Sequence, residues 1–147
     1  MSKNRSVSRT RLIHATPEAV FDVLSDADKH VLIDGSGTVH KAKFGNPVRL
    51  VLGSEFGMHM KLGVPYRIQN TIVEFESNRL IAWRHMGGHR WRWNLEPANG
   101  GTMVTETFDW STSRSPIMLE LAMYPRRNAK SIEKTLARLA DLVEPKA

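Results

Sequence analysis

Leu80-Ile-Ala-Trp-Arg-His-Met-Gly-Gly-His-Arg-Trp-Arg-Trp-Asn-Leu-Glu-Pro-Ala-Asn-Gly-Gly-Thr-Met-Val-Thr-Glu-Thr-Phe-Asp-Trp110 alternates apolar and polar residues in three short runs. Period-two alternation puts successive side chains on opposite faces of a strand. The runs Leu80–Met86, Arg90–Pro97 and Thr102–Trp110 therefore read as strands, separated by Gly87-Gly-His and Ala98-Asn-Gly-Gly. Connections this short make antiparallel neighbours. One face carries Ile81, Trp83, Trp91, Trp93, Leu95, Val104, Phe108 and Trp110, interrupted by His85 and Glu106. Arg90, Arg92 and Asn94 fall on the other face and should meet solvent. A three-residue turn at Gly87–His89 would pair His85 with Trp91 and Trp83 with Trp93. A four-residue turn at Ala98–Gly101 would pair Trp93 with Glu106 and Trp91 with Phe108. His85 and Glu106 would then stand about 12 Å apart, within reach of one ligand but not of each other.

Upstream, Ser54–Lys61 points Phe56, Met58 and Met60 to one face, expected to be the inner one. Tyr66–Glu76 leaves its inner set open, as either Tyr66, Ile68, Asn70 and Ile72 or Gln69, Thr71, Val73 and Phe75. Val39–Phe44 and Val7–His14 are further strand candidates. Thr16-Pro-Glu-Ala-Val-Phe-Asp-Val-Leu reads as a helix with Thr16 as N-cap and Pro17 at its first position. Ser25-Asp-Ala-Asp stops it and caps a second short helix through His30 to Ile33. Downstream, Ser115-Pro116 opens a helix that could run to Val143, broken or bent at Pro125. Its stripe Ile132, Leu136, Leu139 and Val143 repeats at helical spacing and should be buried. Strands and helices segregated in this way define an α+β domain, with the terminal helix covering the concave face of the sheet.

The composition agrees. The chain has 147 residues, 41% hydrophobic and 24% charged, enough for one core. We expect a basic tail over residues 1–6 and a single domain over 7–147. No apolar run is long enough to span a bilayer, and the polar, basic start lacks the apolar core of a secretory signal. A cytoplasmic protein is expected, as a monomer or a dimer. The absence of cysteine excludes disulfides, thiol nucleophiles and cysteine-ligated metals. The net charge is +6, but four cations lie in the first eleven residues, and without them the balance is 17 against 15. Nucleic acid is therefore not the expected partner. Arg90-Trp-Arg-Trp resembles a basic-aromatic strip, yet alternation explains it more simply. The six histidines show no metal-ligand spacing, and there is no P-loop, dinucleotide fingerprint or G-x-S-x-G elbow. No metal and no cofactor are expected.

Four stretches together resemble one known family. They are Ile13-His-Ala-Thr-Pro-Glu-Ala-Val-Phe-Asp-Val-Leu-Ser-Asp, Leu52-Gly-Ser-Glu-Phe, Ile72-Val-Glu-Phe-Glu-Ser-Asn-Arg-Leu-Ile-Ala-Trp and Gly101-Thr-Met-Val-Thr-Glu-Thr-Phe-Asp. With the long terminal helix, they are similar to the START-like, helix-grip superfamily, in its polyketide cyclase/dehydrase and lipid-transport branch, over roughly residues 7–143. Ile33 departs from the pattern, since relatives often carry tryptophan after the second helix. The resemblance implies a curved antiparallel sheet of about seven strands wrapped around the C-terminal helix. It also implies a deep cavity between them for a hydrophobic or amphipathic molecule such as a lipid, polyketide-like or aromatic compound. Trp83, Trp91, Trp93, Phe108, Phe56, Met58 and Met60 would line that cavity, with Met118, Ala122 and Met123 as its roof. Glu106 and His85 are its candidate polar groups. Glu106 is either an anchor with a raised pKa, or a carboxylate paired with an arginine or set at the wet rim. Two further readings follow from the resemblance. One is a cofactor-independent cyclase, dehydratase or hydrolase using Glu106 or His85 as acid or base. The other is a co-chaperone-like or ribosome-associated interaction module.

Overall fold

The computed structural model describes residues 4–145. Its elements run β1 (Ser6–Ile13), α1 (Pro17–Leu24), α2 (Ala27–Ile33), β2 (Val39–Ala42), β3 (Glu55–Leu62), β4 (Val64–Glu76), β5 (Leu80–His85), β6 (Arg90–Ala98), β7 (Gly101–Asp109), α3 (Pro116–Leu121) and α4 (Tyr124–Val143). The seven strands form one antiparallel sheet in the order β1-β7-β6-β5-β4-β3-β2. Strands β2 to β7 are a meander, and β1 pairs with β7 along its whole length. This is the expected α+β helix-grip architecture, with α4 packed across β1 and β7 on the inner face.

Local chemistry places the first helices. Thr16 Oγ1 accepts the Ala19 N–H at 3.2 Å, and Pro17 occupies the first turn, where its missing N–H costs nothing. Ser25 closes α1 by donating its hydroxyl to Phe21 O, and the Asp26 carboxylate caps α2 at Asp28 N–H. Val20, Phe21 and Leu24 from α1 and Ala27, His30 and Ile33 from α2 enter the core.

The β6–β7 register is the expected one, with Trp93 opposite Glu106 and Trp91 opposite Phe108. The β5–β6 register is not. His85 N–H donates to His89 O at 2.8 Å, so the loop is Met86-Gly87-Gly88, and Trp83 pairs with Trp91 and Ile81 with Trp93. Gly88 makes this tight turn possible, because its φ is +102° and a Cβ there would sit 2.6 Å from Thr112 O. The displacement is two residues, an even number, so every side chain keeps its face.

Strand β4 resolves its own ambiguity in an unforeseen way. A register irregularity between Ile72 and Glu74 switches the faces. Asn70 and Ile72 point inward before it and Phe75 after it, so each of the two parities holds for part of the strand. The switch also brings Glu74 to the outer face, where its carboxylate accepts from Arg92 Nε at 2.9 Å, Arg92 Nη2 at 2.8 Å and Arg90 Nη1 at 2.9 Å. Arg90 and Arg92 are thus on the expected face but half-buried in an ion-pair network with Glu74 and Asp109.

The C-terminal helix divides near Pro125, as expected. Met123, in the left-handed region at φ 63°, joins α3 to α4, and Pro125 sits in the first turn of α4. Ile132, Leu136 and Leu139 are buried and Val143 is half-buried against the core.

Candidate functional site

Three rows of side chains cross the inner face of the sheet. The first is Phe56, Asn70 and His85, continued across the β5–β6 loop by His89. The second is Ile72, Trp83, Trp91 and Phe108. The third is Ile81, Trp93 and Glu106. The corrected β5–β6 register moves His85 one row further from Glu106. Two strand spacings and two inward steps separate them by about 17 Å along the sheet, too far to work on one bond.

Besides the Phe21–Phe75 pair, rings gather in two groups. His30 stacks on Trp83 with centroids 4.7 Å apart, and Phe56 meets both rings edge-on. His30 Nε2 lies 2.7 Å from Leu24 O, and a carbonyl only accepts, so Nε2 carries the proton and Nδ1 is an acceptor. Burial pushes the pKa of His30 down and keeps the ring neutral. In the second group His89 stacks on His85 at 4.3 Å and meets Phe108, which in turn contacts Trp91 and Trp110. His85 Nδ1 accepts the Gly87 N–H at 2.8 Å, so the candidate base spends one nitrogen holding its own turn. Burial lowers the His85 pKa, and burial together with His85 lowers that of His89 to about 3.

Glu106 is the exceptional group. It is 5% exposed, and its Oε1 has no hydrogen-bond partner. Arg9 stands opposite it across β1–β7, but the Arg9 guanidinium turns outward to Glu133 at 3.1 Å and to Ser8 O. Burial, reinforced by the negative charge of Asp34, raises the Glu106 pKa well above the usual carboxylate range. Its cross-strand neighbour Trp93 is 1% exposed, and Trp93 Nε1 likewise has no partner. A third buried orphan, Asn70 Oδ1, lies on the same inner face. Buried polar atoms are nearly always satisfied, so such a set is notable. Asn70, His30 and His89 were not among the site candidates. Asn70 was legible as a polar member of one β4 parity, whereas His30 is inside only because α2 folds over the sheet.

Of the other expected lining residues, Phe56, Met58 and Phe108 are buried, and Trp83, Trp91 and Met60 are partly buried against the core. Met118, Ala122 and Met123 are exposed, Met118 at 65%, on the outside of the α3–α4 corner. Large side chains, Trp93, Phe21, Phe56 and Phe108 foremost, occupy the space between sheet and helices. Two surface depressions lie elsewhere. One of about 530 Å³ sits on the outer face at Thr10, Leu80, Asn94, Met103 and Thr105. Another of about 430 Å³ borders β2 and β3 at His40, Lys41, His59, Met60, Tyr66 and Arg67. Among the described residues, no group of three histidines or carboxylates is placed to hold a metal ion. Among those residues, too, no helix is long and apolar enough to cross a membrane.

A family model described as polyketide cyclase/dehydrase and lipid transport matches residues 4–144. The uncharacterized protein Rv0088 of Mycobacterium tuberculosis is 39% identical over 141 residues, which cover 92% of this chain and 62% of that protein. The chain therefore spans less than two thirds of the length of the curated relatives it matches. Protein CV1439 from Chromobacterium violaceum superposes with a TM-score of 0.75 at 17% identity, covering 98% of this chain and 100% of that one. The polyketide cyclase-like protein Cgl2372 from Corynebacterium glutamicum reaches a TM-score of 0.66 at 19% identity, covering 97% and 93%. These two likenesses are evidence of shared fold.

Proposed function

The chain belongs to the polyketide cyclase/dehydrase and lipid transport family, and on that premise we propose that it binds an amphipathic small molecule between sheet and α4, with the ligand's polar end at Glu106 and Trp93. The observation that carries this reading is the unpartnered pair itself. A buried donor or acceptor without a partner costs about 1–3 kcal/mol, and two cross-strand neighbours bear that cost together. A ligand oxygen between them would recover it. The Trp93 indole donates, and the Glu106 carboxyl, kept protonated by its apolar setting, donates as well. Two donors suit a carbonyl or hydroxyl oxygen and reject an ammonium group. Phe108, Trp91, Trp83 and Met58 would face the ligand's apolar part, and the methionine adapts its shape at little cost. Entry requires the side chains now filling the interior to move aside, which a mostly apolar lining permits. Binding is favoured over acid–base catalysis because His85 is distant from Glu106 and engaged with its own turn.

Native mass spectrometry of the purified protein tests the reading. The expected result is an added mass of small-molecule size, released on denaturation. A protein that carries no added mass and takes up none from a lipid extract would contradict it.

A further inference from the structure

The net charge of +6 is not spread over the surface. From His40 to Arg67 there are five cations and one acid, and from Arg114 to Lys130 four cations and one acid. The rest of the chain holds twelve cations against thirteen acids, so these two stretches carry the whole excess. They meet in space. Tyr66, just after the β3–β4 turn, lies close enough to Tyr124 and Arg127 for both to perturb its hydroxyl, and the Arg127 guanidinium sits 5.2 Å above the Tyr124 ring. The same stretches hold exposed apolar side chains, Phe44 and Val48 in the loop before β3 and two aliphatic groups further on. Leu62 and Val64 flank the β3–β4 turn, and Ile117, Met118, Leu121 and Met123 stand out from α3 and its junction, Leu121 at 74% exposure. The single acid of the second stretch, Glu120, is turned inward, where it accepts from Trp110 Nε1 at 2.9 Å and from Arg5. The outward face of α3 is thus apolar with cations around it.

We propose that this corner, the β3–β4 turn together with α3, docks onto an anionic phospholipid surface. Aliphatic tips partition into the boundary between headgroups and acyl chains, and the surrounding cations meet the anionic headgroups. Neither element alone holds a protein stably at a bilayer, but the two signals together do. The positive field shows at His59, whose pKa is lowered by burial and then by Arg67, Lys41, His40 and Lys43. Nucleic acid fits less well, because single strands bind through rows of stacking aromatics and this corner offers mostly aliphatic side chains. A folded acidic protein fits less well too, since the exposed aliphatic side chains Leu62, Val64, Ile117 and Leu121 do not line the neighbouring depression at His40 to Arg67. The proposal does not depend on what occupies the interior.

The test is co-sedimentation of the full chain with vesicles of phosphatidylcholine alone and of phosphatidylcholine mixed with phosphatidylglycerol. Binding to the mixed vesicles is expected to exceed binding to the neutral ones by about tenfold or more and to fall on adding salt. Ile117→Asp with Leu121→Asp, and separately Lys61→Glu with Arg67→Glu, should each lower it by about tenfold or more without moving the melting temperature. If the α3 variant melts lower, the turn variant Leu62→Ser with Val64→Ser serves in its place, with the same loss expected. Equal binding to both vesicle types, binding unaffected by these substitutions, or no vesicle binding beside tight binding to polyglutamate or single-stranded RNA would each overturn the proposal.

Discussion

Glu106 and Trp93 carry the account at the scale of single residues, and each predicts its own behaviour. Glu106 has a folded-state pKa raised above its unfolded value. Its contribution is fully present below the unfolded pKa, and stability is lost as pH rises from there through the folded pKa. The slope is about 1.4 kcal/mol per pH unit in that window. Glu106→Gln removes this dependence and keeps the volume, so the variant should equal the parent in acid and exceed it at neutral pH in denaturant melts. Parallel pH profiles for the two proteins would show that Glu106 is solvated. His89 has the opposite sign. Its folded pKa is lowered to about 3, so the stability from keeping it neutral is present above the unfolded value near 6.5 and lost as pH falls below it. Replacing Trp93 by Phe deletes an unsatisfied donor but also leaves a void at a site 1% exposed, so the two effects oppose each other in the melting temperature and ligand affinity is the readout. Ligand affinity should fall about tenfold, the worth of one hydrogen bond. The inner-face position of Glu106 was legible from alternation, because one carboxylate broke an apolar face, but its burial was not, since a wet rim fitted the same pattern. That no cation joins it was not, since Arg9 and the outer arginines could only be assigned partners once strand order was known.

Among the elements, α4 and the β4–β6 sheet face were legible to different depths. The stripe of α4 followed from helical spacing, and Leu136, 3% exposed, is where it is best tested. Leu136→Ala should cost about 2–5 kcal/mol by denaturant melting, through lost burial and the void left behind. The irregularity at Ile72/Glu74 was not legible, because period-two counting assumes an unbroken pleat. It matters energetically, since it delivers Glu74 to Arg90 and Arg92. Arg92 grips Glu74 through two nitrogens in a half-buried setting, and that geometry makes ion pairs worth more than an exposed bridge. Arg92→Ser should therefore lower stability by about 1–3 kcal/mol, measured by the same melts. The β5–β6 offset came from the turn. Gly87-Gly88 fits two loop alignments equally well, and only the His85–His89 pairing selects one.

For the whole molecule, sequence resemblance and the order of strands and helices made the architecture legible, because turn chemistry and hydrophobic period agree along almost the entire chain. The interior was less legible. A family resemblance implies a cavity, whereas here large aromatic side chains are buried around three orphaned polar groups. The α3 roof expected over that space lies instead with its methionines outside, which gives the molecule a projecting apolar corner beside its cationic edge.

The most direct test of the binding account follows the Trp93 indole N–H by nuclear magnetic resonance in protein labelled with ¹⁵N at tryptophan, with its cross-peak assigned by its loss in Trp93→Phe. Spectra are compared before and after the protein takes up the small molecules of a lipid extract. The account predicts that the Trp93 signal moves downfield as its donor gains a partner. Trp110, already bonded to Glu120 at 2.9 Å, should hardly move. An unmoved Trp93 signal in protein shown by mass to carry a ligand would contradict the placement of the ligand's polar end at Glu106 and Trp93.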